Sequence, residues 1–387
     1  MYREQVVWNI KDAADAEDLE DDFFRRNVAI NATAWPQAGG LADPFQARED
    51  RGRGFLRCAG RPEERFRQDA LGILQALRLS AEWGLEIEAD TEKAMFQNKE
   101  LLTQAAGERL WREFRKLIVG NHAQDVIQKY VDIIGAFIPE LLPMKGFAQN
   151  NPYHSYDVLT HSVMAMQKVE PEEAAGEPAA EKVPAGEAAE EAGPAGEVGE
   201  AGAGEMAVRK TSAKKVPAGE AAEEAAGEPA AEKVPAGEAA EEAAAAGEAG
   251  EGEAPAGEDC RRLCLKMAAL FHDVGKPETY TVDQKGVGHF YGHGKISEER
   301  VRAILLRLKV GKALRERIAL LVRWHDVRLS TDRKLLKRWM DRLTPELLLD
   351  LISLQQADSY AKTGTDKEKK KFSRLRSEIE GLIRTQG

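Results

Sequence analysis

The sequence predicts a mainly α protein. Three observations carry that expectation. Apolar residues recur at helical spacing through most of the chain, as Phe66, Ala70, Ile73, Leu74 and Leu77 do in RFRQDALGILQALRL (65–79). Strand-like alternation is confined to the first sixty residues, where NVAINATAW alternates and GGLADPF reads as a turn or loop. The middle of the chain, Glu170 to Glu258, is dominated by Ala, Gly, Glu and Pro without one aromatic residue and contributes no core.

The helical segments follow in order. GERLWREFRKLIV (107–119) places Leu110, Trp111, Phe114 and Leu117 on one face with basic residues opposite. DVIQKYVDIIGAFIPELLP (125–143) reads as a further helix ended by proline. Beyond the middle segment, helices are expected over 260–272, 297–309, 312–325, 333–341 and 345–361, and TDKEKKKFSRLRSEIEGLIRTQG (365–387) fits a basic helix.

The middle segment repeats. GEPAAEKVPAGEAAEEA stands at 176–192 and again at 227–243, and its core unit KVPAGEAAEEA occurs a third time at 215–225. The units have no apolar face with which to stack as a solenoid, and Gly and Pro interrupt any helix, so composition predicts a disordered insertion. It holds 23 Glu against 6 Lys or Arg. The net charge of −11 therefore hides a remainder with 43 acidic and 49 basic residues, a balance that permits an RNA partner and implies no DNA specifically.

Cys58, Cys260 and Cys264 form no disulfide framework, which fits a reducing compartment. Cys260 and Cys264 share a helix face, but two thiols are an incomplete zinc site and are read as packing. No apolar run approaches the ~18 residues of a membrane span and no signal segment opens the chain, so a cytoplasmic protein without a membrane partner is expected.

Four segments carry a family resemblance. FFRRNVAINATAW, GGLADPFQARED, LRCAGRPEERFRQDALGILQALRLSAEWGLEI and GERLWREFRKL occur in the order seen in bacterial tRNA nucleotidyltransferases, the CCA-adding enzymes and their poly(A) polymerase relatives, over roughly residues 18–120. The resemblance implies a nucleotide-binding set comprising Arg25, Arg26, Asn31, Asp69 and Arg78. In that family a helical Glu-Asp-x-x-Arg motif reads the incoming base. Here its positions hold Gln68, Asp69 and, in place of the arginine, Gly72. Gly72 is therefore read as a lost base-reading arginine, and Gln75 stands where the family carries another. Nucleotidyl transfer also needs an Asp-x-Asp pair on a strand to hold Mg²⁺. The 24 residues before Arg25 hold acids, including Asp12, Asp15, Asp21 and Asp22, but no such strand, so the chain is expected not to add nucleotides alone.

A second constellation lies further on. Six of the seven histidines fall between 154 and 325, none of them in the insertion. YHSYDVLTHSV carries His154 and His161, MAALFHDVGKP carries His272 and Asp273, GHFYGHGKIS carries His289 and His293, LLVRWHDVRL carries His325, and LQQADSYA carries Asp358. This order resembles the HD phosphohydrolase superfamily. Imidazole and carboxylate suit Mg²⁺, Mn²⁺, Ni²⁺, Fe²⁺ or Zn²⁺. The resemblance implies a divalent metal on His161, His272, Asp273 and Asp358, a second on His293 and His325 with Asp273 bridging, and Lys276 beside substrate phosphate. Asp273 and Lys276 are the catalytic candidates. His154 and His289 are read as structural or substrate-edge residues. Asp157, one turn before His161, is either an orienting acid or a solvated or capping one.

The expected organisation is a remnant of an α/β nucleotidyltransferase head (1–60), a helical neck and RNA-binding region (61–125), an all-α HD domain in two parts (126–169 and 259–362) split by the insertion (170–258), and a basic C-terminal helix (363–387). The leading function is metal-dependent phosphohydrolysis of a phosphoester or nucleotide. A tRNA-binding or RNA-binding remnant without turnover, and a CCA-adding fragment completed by a separate head chain, are the alternatives.

Overall fold

The computed structural model describes residues 46–151, 155–169, 257–362 and 366–386. The expected head remnant up to residue 45, with Arg25, Arg26 and Asn31, lies outside the described residues, as do His154 and the repeat insertion. The described residues all belong to one of the chain's two units and share a continuous hydrophobic core.

A short helix α1 (Ala47–Gly52) precedes strand β1 (Phe55–Leu56), which pairs in parallel with β2 (Glu86–Ile87). Between them lie α2 (Pro62–Gln68) and α3 (Leu71–Trp83). Pro62 at the first helical position and Glu63 and Glu64 in the first turn suit the α2 N-terminus. The expected single helix over 65–79 is therefore two. Asp69 is extended (φ −142°, ψ 99°), and its Oδ1 accepts the Leu71 N–H at 3.2 Å, a local bond that competes with helix continuation. Gly72 lies buried in the first turn of α3, where Ile73, Leu74 and Leu77 enter the core.

Helix α4 (Ala89–Asn98) is capped by Glu88, whose side chain accepts the Thr91 N–H. A 3₁₀ turn leads to α5 (Gly107–Val119), which has the expected bounds and buries Leu110, Phe114 and Leu117. Arg78 ties α3 to α5 through Glu113 at 2.9 Å and pairs with Glu82 within its own helix. The helix expected over 125–143 is shorter: α6 (Ala123–Ile134) stops at Gly135, and Pro139–Met144 forms a 3₁₀ turn, because Pro139 and Pro143 cannot donate to a continuing α-helical ladder.

The second half is built from α7 (Val158–Lys168), α8 (Glu258–Phe271), the single turn α9 (Lys276–Thr279), an antiparallel hairpin β3 (Thr281–Val282) and β4 (Gly288–His289), then α10 (His293–Arg307), α11 (Lys312–Trp324), α12 (Arg333–Arg342), α13 (Pro345–Lys362) and α14 (Asp366–Gln386). The mainly α fold is as expected. Helix α13 buries residues on every side, from Leu347 to Ala361, as a central helix must. Its Asp350 is fully buried between Arg261 of α8 and Arg317 of α11, each at 2.5 Å. Cys264 is buried nearby, and burial pushes its thiol well above the usual range. No helix of the described residues is long and apolar enough to cross a membrane.

Candidate metal centre

Five helices deliver the candidate ligands, most of them from their ends. Asp157 caps α7: one carboxylate oxygen accepts the Thr160 N–H at 2.6 Å and the other the Gly146 N–H at 3.0 Å. Of the two readings open for Asp157, the structure supports the cap, which sets His161 one turn inside the helix. His272 and Asp273 follow the last residue of α8, His293 opens α10, and His325 follows the last residue of α11. Asp358 lies near the end of α13. Two helix C-termini, those of α8 and α11, thus direct their partial negative charge at the cluster, which favours a cation there.

Gly275 fixes the turn after Asp273. Its N–H donates to Ser297 Oγ at 2.9 Å, and an added Cβ would sit 2.7 Å from the Ser297 nitrogen and 2.9 Å from the His293 carbonyl. Only glycine lets the turn lie this close to α10.

The cluster is buried and its polar atoms converge. His161 Nε2 lies 2.8 Å from Asp358 Oδ1 and 3.7 Å from Asp273 Oδ2. His272 Nε2 lies 3.1 Å from Asp273 Oδ2 and 3.5 Å from Asp358 Oδ1. On the other side, Asp273 Oδ1 faces His293 Nε2 at 3.4 Å and His325 Nε2 at 3.5 Å. The two carboxylate oxygens of Asp273 therefore each face their own pair of imidazoles. Ligand atoms of His161, His272 and Asp358 lie within 4.8 Å of one another, as do those of His272, Asp273 and His325.

The ring orientations are set by the backbone. Nδ1 of His272, His293 and His325 lies 2.7, 2.8 and 2.7 Å from the carbonyls of Ala269, Phe290 and Val322. A carbonyl only accepts, so each Nδ1 carries a proton, and whenever a ring is neutral its Nε2 lone pair points inward. Nε2 of His272 and both oxygens of Asp273 are buried without a hydrogen bond, although nitrogen and oxygen atoms approach them closely. A convergent set of buried imidazoles and carboxylates fits a divalent cation.

Charge balance within the cluster follows from burial and proximity. Burial pushes the His161 and His325 imidazoles toward the neutral form, despite Asp358 beside the first and Asp273 beside the second. Burial opposes charge on His272 too, but Asp273 outweighs it and raises that ring to about 9. Burial also opposes charge on the two carboxylates. His272 and Lys276 nevertheless hold Asp273 well below the usual range, and Lys362 with His161 does the same for Asp358.

The remaining candidates fall elsewhere. Lys276 is buried at the cluster, with Nζ 2.7 Å from Asp273 Oδ2 and donating to Gln149 Oε1 at 2.8 Å. His289 stands outside it, on the hairpin, 3.1 Å from Asp283. In the neck, Asp69 lies 3.6 Å from Arg109, and Arg78 is held by Glu113 and Glu82. Gln149 and Lys362 escaped the sequence reading. Lys362 sits four residues after Asp358 with Nζ 2.7 Å from its Oδ2, a spacing visible in sequence but common on any helix surface. Gln149 lies outside regular structure and gave no signal.

Comparison with known proteins agrees with this architecture. A model of the HD domain matches residues 237–363. A model described as the probable RNA and SrmB-binding site of polymerase A matches residues 84–141. The chain is therefore similar to the HD domain over 237–363 and to the poly(A)-polymerase RNA-binding segment over 84–141. Within that class it is similar to bacterial CCA-adding enzymes. It is 37% identical over 131 residues to that of Bacillus velezensis, covering 34% of this chain and 33% of the relative. It is 42% identical over 110 residues to that of Leuconostoc mesenteroides, covering 28% and 27%. The match thus spans about a third of the length of the curated relatives. The crystal structure of the Bacillus stearothermophilus CCA-adding enzyme in complex with CTP aligns over 94% of this chain and 60% of that chain, at 18% identity and a TM-score of 0.48.

Proposed function

We propose that the buried centre is a metal-dependent phosphohydrolase site. The observation that supports it best is Asp273, a buried carboxylate whose two oxygens each face two imidazole nitrogens, with Lys276 Nζ a further 2.7 Å from Oδ2. His161, His272, Asp273 and Asp358 would hold one divalent cation, and His293 and His325, sharing Asp273, a second. Mg²⁺, Mn²⁺, Ni²⁺, Fe²⁺ and Zn²⁺ all suit this nitrogen and oxygen set. Such a cation polarises a phosphoryl oxygen and lowers the pKa of water beside it. The chain's own residues do the rest. Backbone carbonyls fix three imidazoles in the tautomer that binds. Lys362 orients Asp358 so that one oxygen stays toward the cluster. The Lys276 ammonium, held by Gln149, supplies positive charge for substrate phosphate. Catalytic roles go to Asp273 and Lys276.

The segment matched by the poly(A)-polymerase RNA-binding model, together with the similarity to CCA-adding enzymes, supports tRNA or another RNA as a partner of the neck. Nucleotide addition is assigned to none of the described residues, because Asp69 serves the α2–α3 junction and Arg78 pairs with two carboxylates. The test is to strip the protein with chelator, restore single metals, and assay phosphomonoesters and phosphodiesters. Hydrolysis restored by metal supports the proposal. Failure of every metal and substrate, alongside RNA binding that weakens with salt, favours a non-catalytic RNA-binding protein.

A further inference from the structure

We propose that Lys362 is a positioning residue that selects the metal: by occupying one oxygen of Asp358 it leaves a single-oxygen ligand and so disfavours Ca²⁺ against transition ions. This inference rests on the metal-centre reading and adds which ions the centre refuses. The Asp358 carboxylate is pinned from both sides. Its Oδ1 lies 2.8 Å from His161 Nε2 and 3.5 Å from His272 Nε2, on the cluster side. Its Oδ2 accepts a hydrogen bond from Lys362 Nζ at 2.7 Å. The two oxygens therefore have separate partners, and both can turn toward one ion only if the ammonium gives up its bond. An Asp–Lys pair four residues apart on an open helix face is weak. This one is better held, because the Asp358 side chain is only 12% exposed. Lys362 is also the last residue of α13, where the helix dipole favours a cation. Ala357 and Ala361 are buried beside the pair, which fixes the face of α13 from which Asp358 projects.

Asp273 is restricted in the same sense by a different device. Its Oδ1 faces His293 and His325, and its Oδ2 faces His161, His272 and Lys276. It cannot turn both oxygens to one ion without abandoning a pair of imidazoles. Both carboxylates therefore offer isolated oxygens among imidazole nitrogens. Ca²⁺ takes about six to eight oxygen ligands and often uses both oxygens of a carboxylate, whereas Mn²⁺ is satisfied by about six donors and Ni²⁺, Fe²⁺ and Zn²⁺ favour imidazole. Asp273 is held by its place between two imidazole pairs. Asp358 is held by one replaceable side chain, so the restriction can be lifted there alone.

The test uses the full chain, stripped by chelator. Mn²⁺ is titrated in and followed by the electron paramagnetic resonance signal of the free ion, and Ca²⁺ is then added as competitor. The quantity read is the ratio of the Ca²⁺ and Mn²⁺ dissociation constants. Lys362→Met should lower that ratio by about 10- to 100-fold, the range commanded by the outer partner of a metal ligand. The shift should be confined to one of the two ions, since the His293–His325 set does not include Asp358. Lys362→Ala should give the same shift without adding apolar length, and Lys362→Arg, which keeps a donor for Oδ2, should keep the wild-type ratio. Loss of a positive charge alone would tighten both dications alike and leave the ratio unchanged. Ratios unchanged in folded Lys362→Met and Lys362→Ala, or the same shift in Lys362→Arg, overturn the assignment while leaving the metal centre standing. If wild type binds neither ion, the metal-centre reading fails and the inference with it. If Mn²⁺ binds and no phosphoester is hydrolysed, only the hydrolase reading fails, and the ratio still decides the role of Lys362.

Discussion

His293 Nε2 lies 3.0 Å from His325 Nε2, with the Nδ1 of each ring committed to a backbone carbonyl. Two neutral rings so held would point lone pairs at each other, an arrangement that needs a proton or a cation between them. Asp273 Oδ1 completes a three-atom set with the pair. His325→Ala and His293→Ala should each lower bound metal from two ions per chain to one, because His161, His272 and Asp358 form a separate set. Elemental analysis after equilibrium dialysis checks this. Loss of all metal from either variant would show the two sets to be one.

Metal uptake should release a proton. In the metal-free protein Asp273 holds His272 protonated up to about 9 against its burial. This group's contribution to stability is fully present below the unfolded value of about 6.5 and is lost as pH rises through about 9. A cation must displace the same proton, so metal affinity should tighten by about tenfold per pH unit between pH 7 and 9 and level off above. Calorimetry in buffers of different ionisation enthalpy measures the released proton. An affinity independent of pH over that range would contradict the assignment.

Gly275→Ala should loosen the centre from one side. The new Cβ would meet the Ser297 nitrogen and the His293 carbonyl, forcing the turn after Asp273 away from α10. Overpacking of this kind costs about 1–3 kcal/mol. Chemical unfolding should show that loss, and metal titration should show weaker binding at the His293–His325 pair than at His161, His272 and Asp358. A variant as stable and as metal-loaded as wild type would mean that the close approach is not needed.

Asp350 links three helices without entering the site. Its carboxylate is fully buried between Arg261 and Arg317. Arg317→Ala should lower unfolding stability by about 3 kcal/mol, the low end for breaking a buried pair because Arg261 remains. Replacing all three together, Asp350→Leu with Arg261→Met and Arg317→Met, should come closer to neutral. Denaturant melts of the two variants compare the outcomes, and equal losses would contradict the ion-pair explanation.

The convergence of the candidate ligand residues was largely legible in the sequence because most of them sit at helix ends that apolar periodicity and turn residues announce. The apolar run into His272 and Asp273, stopped by Gly275 and Pro277, is the plainest case. Other features were not legible, for physical reasons. The break at Asp69 depends on a side-chain bond to Leu71 N–H, which competes with a helix whose periodicity continues through it. Lys362 and Gln149 act through contacts that spacing alone cannot distinguish from solvated positions.

Asp273 carries the central claim, since each of its oxygens faces a different pair of imidazoles. The most direct measurement is metal stoichiometry of Asp273→Ala beside wild type, after dialysis against excess Mn²⁺ and removal of free ion, with circular dichroism to confirm that both are folded. The predicted result is two ions per chain in wild type and loss of metal at both positions in the variant, together with loss of phosphoester hydrolysis. A folded Asp273→Ala that keeps wild-type metal content and rate would contradict it.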